Sequence, residues 1–290
     1  MKILITGHKG FVGKYCVEKY ANHNLLGIDI KDGNDARDFF KKDDSYFDLV
    51  IHLAAVVGGR QTIEGQPISV AIDLSIDSEF FTWCLKTKPG HVIYFSSSAA
   101  YPIKYQYKDS KINLEESMIN LDDINSPDLT YGWSKLTGEY LAKFISNEVN
   151  TTIFRPFSGY GTDQDLSYPF PSFIERAKRK DNPFKIWGDG TQVRDFIHIT
   201  DIIEAMDTCV NNKIYGTFNL GLGVPTSFND LAQMMFDAMN YKGSIYHEVS
   251  APTGVMYRVC NPSKMLEFYT PKIDLHTGIR MALNDDRYFS

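Results

Sequence analysis

The chain has 290 residues, 43% hydrophobic and 23% charged, a composition that builds a globular core and excludes a disordered chain. A net charge of −6 with no basic stripe argues against a nucleic-acid-binding face, and the run Lys178, Arg179, Lys180 reads as a solvated helix face. Four cysteines, Cys16, Cys84, Cys209 and Cys260, stand far apart without a CxxC pair, which excludes a zinc ribbon or a disulfide framework and leaves no metal site to expect.

No stretch approaches the roughly 20 apolar residues of a membrane span. The apolar run at the amino end is too short for a secretory signal. A cytoplasmic location is the expectation, with neither membrane nor nucleic acid as a partner.

In chain order, the stretch MKILITGHKGFVG comes first and organises the rest. Ile3, Leu4 and Ile5 read as a buried parallel strand that feeds a tight turn and a helix. Gly7 permits a backbone turn that other residues resist, Gly10 lets main chain approach a ligand, and Gly13 lets helix and strand pack closely. The helix then offers unpaired N–H groups and its positive dipole end, which suit a pyrophosphate. The plain alternative is a glycine-rich strand–helix corner with no ligand.

Lys14 to Ala21 reads as that helix and Leu25 to Asp29 as the second strand. A carboxylate at Asp29 can accept both hydroxyls of an adenosine ribose and would repel the extra phosphate of NADP; otherwise it is a strand-end turn residue. A charged helix with Lys41 to Asp44 follows, then a strand from Asp48 to Val57 in which Ala54 and Ala55 would let backbone lie against a cofactor. Ser69 to Lys86 is a long amphipathic stretch closed by Pro89-Gly90, and His91 to Ser98 is a buried strand with hydroxyls at its carboxyl end. Alternation of strands and helices through residue 158 predicts a parallel sheet covered on both faces.

From about Gly159 prolines, tyrosines and glycines interrupt the pattern, as in a smaller domain with long loops. Asp195 to Cys209 and Gly216 to Gly221 read as a helix and a strand that could return to the large sheet. Ser227 to Asn240 reads as a helix with Leu231, Met234, Met235 and Ala238 on its packed face.

Tyr131 and Lys135 lie four apart, so on a helix they share a face. Bringing a phenol from a pKa of about 10 to near 7 takes roughly 3 units, about 4 kcal/mol, a shift that a nearby ammonium and an oxidised nicotinamide can supply in a dry site. Ser97, at the carboxyl end of a strand, could hydrogen-bond a substrate oxygen whose proton Tyr131 takes. An exposed aromatic beside a surface lysine, and a serine-rich loop, are the alternatives.

Taken together, the glycine turn, Asp29, the HLAA segment at residues 52–55, the FSSSAAYP segment at residues 95–102 and the YGWSK segment at residues 131–135 resemble the extended short-chain dehydrogenase/reductase family. More narrowly, the chain is similar to its NAD-dependent nucleotide-sugar epimerase/dehydratase branch. Arg155-Pro156-Phe157 and the segment from Gly188 to His198 extend the resemblance over nearly the whole chain.

The resemblance implies a doubly wound α/β Rossmann domain with a smaller, interleaved carboxyl-terminal α/β substrate domain. Residues 1–158 would bind NAD, with 195–221 returning to that domain, while 159–194 and 222–290 would bind substrate. It implies NAD contacts from Gly7, Gly10, Phe11, Val12 and Gly13, and from Leu53, Ala54 and Ala55. Asp29 would hold the ribose, Asp35 and Ala36 would flank the adenine, and Pro156 and Phe157 the nicotinamide, with Tyr131 and Lys135 beside it. Arg194 would grip the diphosphate of a nucleotide sugar, with Arg258 as a second candidate; a structural ion pair with Asp195 or Asp201 is the alternative for Arg194. Lys185 and Trp187 would line the nucleotide pocket, and Ser97 and Ser158 would face the sugar.

Absences narrow the reaction. Similar dehydratases carry an acid just after the catalytic hydroxyl, where this chain has Ser98 and Ala99. Similar 3,5-epimerases and fucose-synthase-like enzymes carry a cysteine at the place of Ala99 and a histidine near Pro169. Asp73 and Ser158 stand where relatives usually carry asparagine. What remains is Ser97, Tyr131, Lys135 and NAD, enough for a 4-epimerisation through a transient keto-sugar. An NAD(P)-dependent reductase or dehydrogenase is the alternative, with a dehydratase or a non-catalytic NAD-binding regulator behind it. The helices at Ser69–Lys86 and Tyr131–Glu148 are expected to form a four-helix homodimer contact.

Overall fold

The computed structural model describes residues 1–285; residues 286–290 of the expected substrate-binding segment lie outside that range. Its centre is a six-stranded sheet in which every neighbouring pair is parallel. The strands run in the spatial order Gly216–Leu220, Thr151–Pro156, Val92–Phe95, Leu49–His52, Lys2–Thr6 and Asn24–Ile28.

Side chains alternate between the two faces, and both faces are covered. Ile3, Ile5, Ile51 and Phe154 pack with Ile199, Ile202 and Met206 of the helix Ile199–Asn212. Leu4, Val50, Val92 and Tyr94 pack on the other side with Phe80, Trp83, Ala142 and Ile145 from the helices Ile72–Thr87 and Leu129–Ile145. The four cysteines are free and buried. No helix among the described residues is long and apolar enough to cross a membrane.

The chain leaves the first strand toward one sheet edge and returns on its other side, so a crevice opens between the carboxyl ends of Lys2–Thr6 and Leu49–His52. Open α/β sheets bind ligands there. A separate aromatic core (Phe173, Phe184, Phe196, Leu231, Met235, Ile279) builds the unit that stands over this crevice. Short pairings hold it, among them Phe184–Trp187 with Ile245–Glu248 and Val193–Arg194 with Tyr257–Cys260. Asn113–Leu114 joins Tyr257–Cys260 in the same layer, a crossing from the amino-terminal half that local pattern does not disclose.

Several boundaries differ from expectation. The first helix begins at Phe11, not Lys14, because the glycine turn itself supplies its first turn. The strand expected to reach Val57 ends at His52. The stretch from Ser69 to Lys86 is divided into Pro67–Val70 and Ile72–Thr87. On the helix Phe228–Ala238, capped by a reciprocal Ser227–Asp230 box, the buried residues are Phe228, Leu231, Ala232, Met235 and Phe236. Ala238 is exposed, because the packed stripe rotates toward Ala232 and Phe236.

Candidate active site

Gly7 follows the first strand with φ +71°, and a Cβ there would lie 2.8 Å from the Leu53 carbonyl carbon. Only glycine lets the ends of the two strands meet so closely. A Cβ on Gly13 would lie 2.2 Å from the Gly7 oxygen, so the helix rests directly on the turn. Gly10 caps the helix Phe11–Lys19 with no side-chain bond, which leaves first-turn N–H groups facing the crevice. The cradle fits a dinucleotide pyrophosphate.

Asp29 ends the second strand almost wholly buried, accepting from Lys9 N at 2.8 Å and Lys31 N at 2.9 Å. Those bonds fix the glycine turn against the strand and hold the carboxylate at the cleft wall. Asp35 caps the helix Ala36–Lys42 and accepts from Arg37 Nη2 at 2.5 Å; its bonds with Arg37 hold its carboxyl below the usual range. Its side chain is therefore committed to Arg37, so its place at the cleft edge comes from shape more than from a free charge.

One cleft of about 1100 Å³ runs from Gly7 to Arg258. Phe11, Val12, Leu53, Ala54, Ala55 and Ala36 line its cofactor end. Ser97, Tyr131, Lys135, Pro156, Phe157 and Ser158 line its middle, and Trp187, Arg194 and Arg258 its far end. Lys185 is the exception. Its ammonium sits 2.6 Å from Glu248 across the pair of strands Phe184–Trp187 and Ile245–Glu248, outside the cleft wall. Sequence pattern gives no sign of a pairing between residues so far apart.

Tyr131 and Lys135 share one face of the helix Leu129–Ile145, and the Lys135 ammonium lies 5.9 Å from the Tyr131 ring and 5.4 Å from the Tyr94 ring. Ser97 accepts from Ala99 N at 3.1 Å, and its hydroxyl stands near enough to the Tyr131 phenol to favour the phenolate. The charge balance at the phenol differs from expectation. Burial and the Asp73 carboxylate push Tyr131 above its ordinary value, and the Ser97 hydroxyl and Arg258 oppose them only in part. With these groups alone Tyr131 stays a phenol; an oxidised nicotinamide beside it would add positive field that favours the phenolate.

Arg194 resolves its own alternative. Asp195 accepts from Leu222 N, Gly223 N and Cys260 N, while Asp201 holds Tyr269, Lys272 N and Ile273 N. Neither carboxylate pairs with Arg194. Its guanidinium donates to two carbonyls, Val193 O at 2.8 Å and Thr253 O at 3.2 Å, and stands 5.7 Å from the Phe228 ring. Burial and the Arg258 charge pull it down to about 9 against the pull of Asp128, so it remains a cation at neutral pH, and no carboxylate bonds it among the described residues.

Arg258 donates to Gln106 at 2.6 Å and to Asp128 at 2.7 Å, and Arg60 donates to the same carboxylate at 2.8 Å. Arg60, Asp128 and Gln106 carry no functional signal in the sequence. Asp128 stands at a helix N-cap but makes no capping bond, because both its oxygens go to arginines. Its only sequence signal is that of an ordinary cap. Tyr168 also lines the cleft, a tyrosine that no motif in the sequence marks.

The model for the NAD dependent epimerase/dehydratase family matches residues 3–221. The chain belongs to that family. NAD is its cofactor, and the glycine cradle and Asp29 supply a fitting seat.

Among relatives, GDP-L-colitose synthase of Yersinia pseudotuberculosis is 24% identical over 96% of each chain. A putative UDP-glucose 4-epimerase of Methanocaldococcus jannaschii is 26% identical over 97% of each. Among solved structures, the UDP-glucose 4-epimerase of Thermus thermophilus in complex with NAD superposes with a TM-score of 0.82 at 19% identity, covering 99% of both chains. The solved structure shares the fold, and the relatives' names differ in nucleotide and in reaction.

Proposed function

We propose that this protein is a nucleotide-sugar 4-epimerase. The observation that carries the reading is the content of the cleft: a Ser97–Tyr131–Lys135 set shares one cavity with Arg194, a cation without an anion. A guanidinium with only carbonyl partners suits a diphosphate, which accepts two parallel N–H bonds. Trp187 and Phe228 add apolar wall beside it.

In this reading Arg194, aided by Arg258, fixes the diphosphate and so places the sugar against Ser97. The Ser97 hydroxyl orients the sugar hydroxyl, Tyr131 accepts its proton as base, and Tyr131 later returns a proton as acid. Lys135 supplies the positive field that the phenolate needs. Bound NAD supplies hydride acceptance and return. No carboxylate follows Ser97 and no thiol stands at Ala99, so a second proton transfer at a neighbouring carbon has no residue of that kind to perform it. Asp29, whose carboxylate disfavours a 2′-phosphate, supports NAD retained through the cycle over NADPH consumed once.

The domain assignment belongs to the same proposal: residues 1–158 and 195–221 hold NAD, and 159–194 and 222–290 hold substrate. So does a homodimer. Exposed Leu74, Leu85, Trp133, Tyr140 and Phe144 lie on the helices Ile72–Thr87 and Leu129–Ile145, an apolar surface suited to a four-helix contact. Free, buried cysteines suit the cytoplasm.

A panel of UDP-, GDP-, dTDP- and CDP-hexoses incubated with catalytic NAD tests the activity. The 4-epimer forms without net NADH. Stoichiometric consumption of NAD(P)H with no epimer would instead establish the reductase reading, which relatives named as synthases and reductases favour.

A further inference from the structure

Behind the catalytic tyrosine lies a buried polar layer with one member out of balance. Thr6 Oγ1 accepts from Leu53 N and Ala54 N, each at 3.2 Å, which leaves its proton for His52 Nδ1 at 2.8 Å. His52 Nε2–H then donates to Asp77 at 3.1 Å, and Tyr94 donates to the other Asp77 oxygen at 2.6 Å. Asp77 is satisfied. Asp73, one turn earlier on the same helix, is not: Oδ1 accepts from Val56 N at 2.6 Å, and Oδ2 is buried with no partner among the described residues.

An unpartnered carboxylate oxygen in a dry interior is costly unless something nearby compensates for it. The cation facing it is Lys135, which is itself almost wholly buried and has no carboxylate in direct contact. Lys135 also faces Tyr131 from the same helix.

We propose that Asp73 is a positioning residue that competes with the Tyr131 phenolate for the one ammonium of Lys135, and so sets how readily the base forms. The inference rests on Tyr131 being the base. The groups around Asp73 are Asp77 on its own helix, Tyr94 from the sheet, and Tyr131 and Lys135 from the packed helix; His52 bonds Asp77, and Ser97 and Arg258 act on Tyr131 from across the cleft. Burial keeps His52 neutral and Tyr94 protonated, so neither supplies a counter-charge. Burial pushes Asp73 up to about 6, against the pull of Lys135 and the Val56 N–H. The carboxyl therefore changes charge near neutral pH, next to the phenol whose ionisation it opposes.

Asp73→Asn separates charge from structure, because the amide oxygen can keep the Val56 bond. The readout is the ultraviolet titration of the Tyr131 phenol in the NAD-bound protein, taken as the difference between chains with Tyr131 and with Tyr131→Phe. It needs no turnover, so loss of epimerase activity and failure of this inference stay distinguishable. Asp73→Asn moves the phenol titration to lower pH, with about tenfold more phenolate at a given pH below its midpoint. An unchanged midpoint at unchanged NAD affinity would overturn the proposal and leave Asp73 as an anchor for Val56.

The reciprocal variant guards against misfolding of the first. In Lys135→Met the Asp73 carboxyl, followed by carbon NMR, titrates at higher pH than in the parent chain. An unshifted carboxyl would show that the two groups do not share a charge.

Discussion

Arg155 is buried and Arg194 partly buried, and their surroundings are opposite. Arg155 is 3% exposed and donates to Glu139 at 2.9 and 2.6 Å, to Tyr101 at 3.0 Å and to the Glu116 carbonyl at 3.0 Å. Burial works against its charge, and Glu139 and Tyr101 outweigh that penalty. Arg194 bonds only carbonyls, with an aromatic ring and two other arginines nearby; the nearest carboxylate acting on it, Asp128, is itself bonded to Arg60 and Arg258. The same side chain closes a joint in one place and leaves a charge open in the other. In this fold the Arg155–Glu139 joint is fully paired, while Arg194 and Lys135 at the cleft, and one oxygen of Asp73 buried behind it, have no ion-pair partner among the described residues.

The comparison breaks first at Arg155. Arg155→Met leaves Glu139 buried without its cation and lowers stability by about 3–5 kcal/mol, read by denaturant titration. A loss below about 1 kcal/mol would show that the pair is not a structural joint.

Asp73 tests the opposite case through pH. Its carboxyl is raised to about 6 by burial from an ordinary value of 3.8. Below about 4 it is protonated in both folded and unfolded chains and contributes nothing. Between those values the folded chain keeps a proton that the unfolded chain has lost, so stability falls as pH rises; above about 6 the cost is complete, on the order of 3 kcal/mol. Asp73→Asn should therefore be more stable than the parent at pH 7 and gain little at pH 3.5. His91, which burial pulls down to about 4, acts in the reverse direction: its stability is lost as pH falls from about 6.5 through 4, in both chains alike. The difference between the two melting profiles isolates Asp73, and a pH-independent difference would contradict its assignment.

Arg194→Gln sharpens the contrast from the functional side. Removing an unpaired charge leaves stability unchanged or raises it, while the KM for a nucleotide sugar rises about 10–100-fold, the worth of one or two charge-assisted hydrogen bonds. A variant that unfolds but binds normally would reverse the roles assigned to the two arginines. The smallest expected effect is at the exposed face: Phe144→Glu changes monomer stability by less than about 0.5 kcal/mol yet shifts the species in analytical ultracentrifugation from dimer to monomer.

The sequence was most legible where one short stretch does the whole job. Gly7, Gly10 and Gly13 declare a strand, a turn and a helix within a few residues, and Tyr131 and Lys135 declare a shared helical face. It was less legible where partners come from distant segments. Arg60, Gln106 and Asp128 form one cluster with the candidate Arg258, yet each of those three alone looks like an ordinary polar or charged residue. Lys185 misled for the same reason, since Glu248 reaches it only after two strands pair. At Tyr131 the spacing revealed the neighbour that favours the phenolate but not Asp73, which opposes it from another helix. Ala238 lies where a fixed period drifts off the packed stripe.

The central claim is that one cleft carries out oxidation and re-reduction at a single sugar carbon. The most direct test is to supply a nucleotide sugar deuterated at C4, with trace NAD, and locate the label by NMR in the isolated product. The account predicts the 4-epimer with deuterium still at C4 and none released to water. An epimer that has exchanged its label for solvent hydrogen, or a deoxy or reduced sugar in its place, would contradict it.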